Sequence, residues 1–299
     1  MARVGDELII GVICHDAGGA EIVSSYCKKV RGNFIFTLEG PAQEIFSRKL
    51  GSITNRDLTT TIQNAEEIIT GTSGKSNLER LAIKMARDRN LESRSFLDHW
   101  INYELRFTDE EGVMHLPDTL IVGDEYAEKL AMNAFPGHKI QLIPNPYWES
   151  ITKDWVSVTE KQKESQSCIY VSEGLDEFDS DLRTHLDVAS IDIKLIRELQ
   201  NNLSSIDSQL RRIVIRRHPA EPKDKFDSFI SEMPEKVLMS KSYLELVEEL
   251  SGYTTVVGYQ SMALVIALQM GLRVISIRLQ EMPEIQLPFK EIERLVLIT

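Results

Sequence analysis

Leu8–Cys14, read LIIGVIC, is one unbroken apolar run. A strand with one wet face alternates in polarity, so a continuous run of this length asks for cover on both faces, as in the middle of a parallel sheet. Parallel strands cannot be joined by hairpins and need crossover connections, usually helices. The chain supplies one at once: His15-Asp16-Ala17-Gly18-Gly19-Ala20-Glu21 leads out of the run, and an amphipathic segment continues through Lys29. The same plan of strand, loop and helix then repeats. Strands are expected at Phe34–Leu38, Glu67–Thr70, Ser95–Leu97, Thr119–Val122 and Lys139–Ile143. Further on they are expected at Ser167–Val171, Ile213–Ile215, Lys236–Met239, Thr254–Val257 and Arg273–Ile277. Between them the spacing predicts helices over Ala42–Leu50, Asn77–Arg89, Glu125–Ala134, Ala189–Ser208, Lys223–Ser231, Ser242–Leu250 and Ala263–Gly271. This alternation predicts an α/β fold.

At 299 residues the chain exceeds what one small core serves and suits two such domains. The proline pair in Pro144-Asn145-Pro146 marks the boundary, giving domains at 1–148 and 167–299 with a polar linker or connecting helix at 149–166. Asn102–Pro117 has no sustained period and is expected to be a loop, long enough to be functional.

The net charge of −12 argues against nucleic acid and anionic membrane as partners. Any anionic ligand must therefore be caught by a local cluster. No apolar run approaches the length of a spanning helix, so no integral membrane segment is expected. The first residues lack the basic-then-apolar order of a secretory leader. Cys14, Cys27 and Cys168 form no CxxC pair and sit in apolar surroundings, as buried thiols in a reducing cytoplasm would. No clustered spacing of histidines and carboxylates suggests a metal, and no cofactor is expected.

The local cluster is in Arg211–Pro219, read RRIVIRRHP. Its apolar core delivers Arg216, Arg217 and His218 at the carboxyl end of a strand, where open α/β sheets bind ligands, and Pro219 bars helix at His218. Guanidiniums and an imidazole there suit a phosphate; a solvated basic strand end is the plainer alternative. Similar strand ends recur. After Cys14, His15 and the pair Gly18-Gly19 either let backbone approach a ligand at a helix N-terminus or simply make a tight turn. The order is not GxGxxG. Gly71-Thr72-Ser73-Gly74-Lys75-Ser76 is not a P-loop either, because Ile69 stands where the first glycine belongs. Thr72 and Ser73 cap the following helix or help turn its first amides to a ligand. In Asp98-His99-Trp100 the carboxylate could orient the imidazole for acid/base work, and Trp100 could stack on a sugar or base; a histidine satisfied by backbone is the alternative. Ser172-Glu173-Gly174 sets another carboxylate at a strand end, followed by Asp176, Glu177, Asp179 and Asp181, which read as a solvated acidic face. Finally Gly258-Tyr259-Gln260-Ser261 opens a helix with free amides and a hydroxyl, a seat for phosphate or carboxylate.

Two Rossmann-like halves facing a cleft resemble the GT-B glycosyltransferase architecture. Within the second half, the order Glu173-Gly174, then His218-Pro219, then Gln260-Ser261 is similar to that of bacterial sialyltransferases and capsule-polysaccharide transferases. Ser172 stands where that group usually has a second acid, and Gln260 where it has a second hydroxyl residue. The resemblance implies Glu173 as general base, with His218 and Ser261 on the donor nucleotide's phosphate. It implies transfer of a sugar from a CMP- or UDP-activated donor to a surface glycan or its precursor, with Glu173 deprotonating the acceptor. The residue pattern itself adds His99, assisted by Asp98, as a second candidate base, and the lack of metal-ligand spacing makes the transfer metal-independent. A nucleotide-sugar 2-epimerase or hydrolase on the same fold, and a non-catalytic nucleotide-sugar or glycan binder, remain alternatives.

Overall fold

The computed structural model describes residues 8–74, 76–156, 164–175, 190–218, 221–240 and 245–298. The chain divides into two compact units, Met1–Ser150 and Ile151–Thr299.

In the first unit the strands β1 (Ile9–Cys14), β2 (Asn33–Leu38), β3 (Glu67–Thr70), β4 (Glu92–Phe96), β5 (Thr119–Val122) and β6 (Ile140–Leu142) form one sheet in the order β2-β1-β3-β4-β5-β6. Every pair is parallel, with Val12 opposite Phe36 on one side and Ile69 on the other. β1 is buried on both faces, as its unbroken apolar run requires. Val12 and Cys14 pack with Val23, Phe46 and Phe96. Ile13 points the opposite way, into Ile62, Ile68 and Ala82. The three cysteines are free and buried.

The second unit carries β7 (Glu164–Val171), β8 (Arg212–Arg216), β9 (Val237–Met239), β10 (Tyr253–Gly258), β11 (Arg273–Leu279) and β12 (Glu293–Leu297). These too are all parallel, in the order β12-β11-β10-β7-β8-β9. Counted from β7, this is the 3-2-1-4-5-6 order of dinucleotide-binding folds, whereas the first sheet follows the flavodoxin-like 2-1-3-4-5 order and adds one strand. Each order reverses direction once, between β1 and β3 and between β7 and β10. At such a reversal neighbouring crossovers leave on opposite faces, and a crevice opens beyond the strands' carboxyl ends.

Three elements differ from the sequence expectation. Asn102–Pro117 is not a plain loop: Tyr103–Phe107 is a short helix, followed by a bridge between Thr108 and Met114. Tyr103 and Phe107 lie four apart on one helical face and are both buried, but five residues are too few to establish a period. Leu58–Asn64 is a helix despite its threonine run, started by Asp57, whose side chain accepts the Thr60 amide at 2.9 Å. Glu293–Leu297 is an edge strand against β11. The 149–166 stretch holds the end of a helix, Pro146–Val156, and the start of β7. Ala189, Ser242 and residues 157–163 lie outside the described residues. Among the described residues, no helix is long and apolar enough to cross a membrane.

Candidate functional site

The β7–β10 reversal brings Ser172-Glu173-Gly174 beside Gly258-Tyr259-Gln260-Ser261. The two strand ends pass so closely that a Cβ on Gly258 would lie 2.9 Å from Val171 Cγ2 and 3.1 Å from the Val171 carbonyl oxygen. Only glycine fits there. Beyond the crossing, Glu173 Oε2 accepts the Gln260 N–H at 2.9 Å. Burial pushes the Glu173 carboxyl from 4.5 up to about 7, partly opposed by that N–H and reinforced by the negative charge of Asp192. Ser261 is the N-cap of the helix Met262–Gln269, its Oγ accepting the Ala263 N–H at 3.2 Å, so the positive end of that helix faces the same point. Tyr259 is 3% exposed and donates its hydroxyl to the Pro283 carbonyl at 3.0 Å. Its own carbonyl accepts from Ser276 Oγ, and Gln260 Oε1 accepts the Gln286 N–H at 3.2 Å. Tyr259 and Gln260 therefore fix the loop, with the Tyr259 ring buried in the unit.

Arg216, Arg217 and His218 arrive at the same edge on the neighbouring strand β8. The Arg216 guanidinium is ion-paired with the buried Glu249. Arg217 donates to the carbonyl oxygens of His218, at 3.2 Å, and of Glu221; among the described residues no carboxylate offsets its charge. The His218 N–H donates to Glu221 Oε2 at 2.7 Å. Glu221 Oε1 accepts from Ser172 Oγ at 2.7 Å and from Lys225 Nζ at 2.6 Å. Lys225 also donates to Asp192 Oδ2 at 2.8 Å, and Asp192 Oδ1 accepts the Tyr170 hydroxyl at 3.1 Å. This buried network was missed by sequence reasoning. Position 172 thus meets a carboxylate after all, one delivered from residue 221. Pro219, Asp176, Glu177, Asp179 and Asp181 lie outside the described residues.

In the first unit the β1–β3 reversal gathers His15, Gly18, Gly19, Thr72 and Ser73, and β4 adds Asp98. Here the histidine–carboxylate pair is His15 with Asp16, Nδ1 to Oδ1 at 2.7 Å, with side chains 25% and 27% exposed. Asp16 Oδ2 accepts the Gly74 N–H at 3.1 Å. Behind them Glu79, 3% exposed, accepts the His15 N–H at 2.7 Å; burial raises its carboxyl from 4.5 to about 7, and among the described residues its second oxygen has no hydrogen-bond partner. A Cβ on Gly18 would collide with Asp98 Oδ2, and Gly19 packs on the backbone of Gly71 and Thr72. The glycine pair is thus demanded by the neighbouring loops themselves. Ser73 Oγ accepts the Ser76 N–H at 2.8 Å, closing the turn before the helix Leu78–Asp88.

The expected partnership of Asp98 and His99 is not built. Asp98 Oδ1 accepts from Thr72 Oγ1 at 2.9 Å and from Arg106 Nη1 at 2.6 Å, while His99 Nδ1 accepts the Trp100 N–H at 3.0 Å. That bond leaves the proton of the neutral ring on Nε2. Burial, then the Arg106 charge, lower His99 to about 4, with Asp98 opposing, so at neutral pH the ring is an uncharged donor and a poor base. Trp100 is 5% exposed, donates Nε1–H to Asp124 Oδ2 at 2.9 Å and stacks on Trp148 with ring centroids 6.0 Å apart, so its face is covered by protein. Arg106 comes from the aperiodic segment, where nothing in the sequence singled it out. Among the described residues, no group of three His, Cys, Asp or Glu side chains is placed to hold a metal ion.

No family model and no curated protein matches the sequence. Solved structures do match in shape. UDP-GlcNAc 2-epimerase from Neisseria meningitidis, bound to UDP-GlcNAc, aligns with a TM-score of 0.61 at 10% identity, over 91% of this chain and 83% of the other. The fold is of the GT-B type. The Methanocaldococcus jannaschii UDP-GlcNAc 2-epimerase, in complex with UDP-GlcNAc and UDP, aligns with a TM-score of 0.60 at 11% identity over 91% and 84% of the chains. The H444N variant of the wall teichoic acid polymerase TagF aligns with a TM-score of 0.51 at 11% identity over 90% and 70%. At these identities the likeness of this GT-B-type chain to each of them is one of fold alone.

Proposed function

We propose that this protein is an enzyme acting on a nucleotide-activated sugar. The donor's phosphate lies at the β7–β10 reversal against Arg217, His218 and the opening of the helix Met262–Gln269, and Glu173 moves the proton. The observation that carries this reading is Glu173 itself. A carboxyl brought to about 7 stands at a helix start and a basic strand end, in hydrogen-bond contact with Gln260 N–H. A carboxyl held well above its ordinary range can both take and return a proton near neutral pH. The same edge offers cationic and amide donors to the charge that grows on a departing phosphate.

In the leading form the acceptor is a hydroxyl of a surface glycan or its precursor. Glu173 takes the hydroxyl proton, the acceptor oxygen bonds to the anomeric carbon, and the bond to the nucleotide's phosphate oxygen breaks. The order of Glu173, His218 and Ser261 along the second unit, similar to that of bacterial sialyltransferases and capsule-polysaccharide transferases, supports transfer. In the first unit, the His15–Asp16 pair, about a quarter exposed, supports an acceptor-binding role. A second reading, 2-epimerisation or hydrolysis of the nucleotide sugar, is favoured by the higher TM-scores to the epimerases.

Proton NMR of the protein with CMP-, UDP- and GDP-sugars, with and without an oligosaccharide acceptor, tests these forms. Nucleotide release that needs the acceptor supports transfer. Inversion at C2 without acceptor supports epimerisation, and free sugar plus nucleotide supports hydrolysis. Binding without turnover overturns the enzymatic reading and leaves a nucleotide-sugar binder, and the absence of both binding and turnover contradicts the proposal entirely.

A further inference from the structure

We infer that Glu221 is a positioning residue for the donor site, a role that rests on the function proposed above. The β7–β8 ladder ends at Val171 opposite Arg216, with one more bond from Ser172 N–H to the Arg216 carbonyl at 2.9 Å. Past that rung both chains leave the sheet, and these departing residues carry Glu173 on one side and His218 on the other. Glu221 bridges them. One oxygen holds the His218 N–H at 2.7 Å and the other holds the Ser172 hydroxyl at 2.7 Å, so a single carboxylate extends the ladder beyond the last strand pair.

Three features make this a built bridge instead of an incidental contact. Glu221 is 4% exposed, where an ionised carboxylate is unfavourable unless its oxygens are satisfied, and both are. Lys225 Nζ, at 2.6 Å, supplies the compensating charge and is itself fixed by Asp192. The Glu221 carbonyl meanwhile accepts from Arg217, so the same residue restrains all of Arg217-His218 from both its ends. Replacement by glutamine cannot preserve this arrangement. A carboxamide has one acceptor oxygen; the Lys225 ammonium cannot face an amide N–H, so that oxygen stays with Ser172 and Lys225 and the His218 N–H loses its partner. Aspartate keeps both acceptors on a shorter arm.

Amide hydrogen exchange without ligand tests the bridge directly, comparing wild type with Glu221→Gln, Glu221→Asp and Glu221→Ala. The expected result is exchange at the His218 amide at least about tenfold faster in the Gln and Ala variants and intermediate in Asp, with Ile213 and Ile215 in β8 unchanged. In turnover assays the same variants raise the donor KM at least about tenfold and leave the acceptor KM alone. An unchanged His218 amide overturns the inference. So does acceleration of Ile213 and Ile215 in step with it, which would make Glu221 a general stability residue. Should the Ala variant not fold, the Gln and Asp variants decide. Wild type failing to bind any of CMP, UDP, GDP and their sugars sinks the functional reading instead, and the exchange result separates that failure from failure of the bridge.

Discussion

Two carboxyls in this protein are raised to about 7 by burial, Glu173 and Glu79, and they give opposite kinds of handle. Between 4.5 and about 7 the folded state keeps a proton that the unfolded chain has lost. The folded state therefore binds more protons, and stability falls as pH rises through that window. Glu79→Gln keeps an acceptor for the His15 N–H but cannot ionise. Urea unfolding at pH 5 and pH 8 should show wild type losing up to about 3 kcal/mol relative to this variant across the interval; equal pH slopes would acquit Glu79. Glu173→Gln should instead lower turnover by about 10²–10⁴-fold while nucleotide affinity stays within a few-fold. His218→Ala should weaken the ligand-linked stabilisation, about 2.7 kcal/mol at a hundredfold excess over Kd in wild type, and leave the unliganded melting temperature nearly unchanged. Side-chain commitments are what the sequence shows least. Glu173 was legible as a carboxylate before a glycine at a strand end. That Arg216 answers Glu249, or Asp98 answers Arg106, depends on which loops meet in space.

Elements were far more legible, because a strand buried on both faces leaves an apolar run that no loop imitates. β3, β5 and the helices Ala42–Leu50 and Glu125–Ala134 have the very bounds that run and period predict. The elements that were missed are those whose stability comes from contacts made elsewhere: a threonine-rich helix, a five-residue helix and an edge strand. The central strand should be correspondingly intolerant. Ile13 is fully buried against Ile62 and Ile68, so Ile13→Ala should cost about 2–5 kcal/mol by urea unfolding. A loss below about 1 kcal/mol would mean that β1 is not central.

At the scale of the molecule, two parallel sheets of different strand order each place their reversal where sequence motifs cluster. The fold class was written in the alternation of runs and turns. The strand order was not, since a crossover can lead to either side of a sheet. A protein of net charge −12 holds an anion only where cations and helix amides are brought to one point, and the proposed function puts that point at the β7–β10 reversal of the second unit. The most direct measurement is hydrogen exchange of the full chain with and without a saturating nucleotide sugar, read peptide by peptide. Slowed exchange centred on 172–174, 216–218 and 258–263 is the predicted result. Protection absent from those three segments, whatever happens elsewhere, would contradict it.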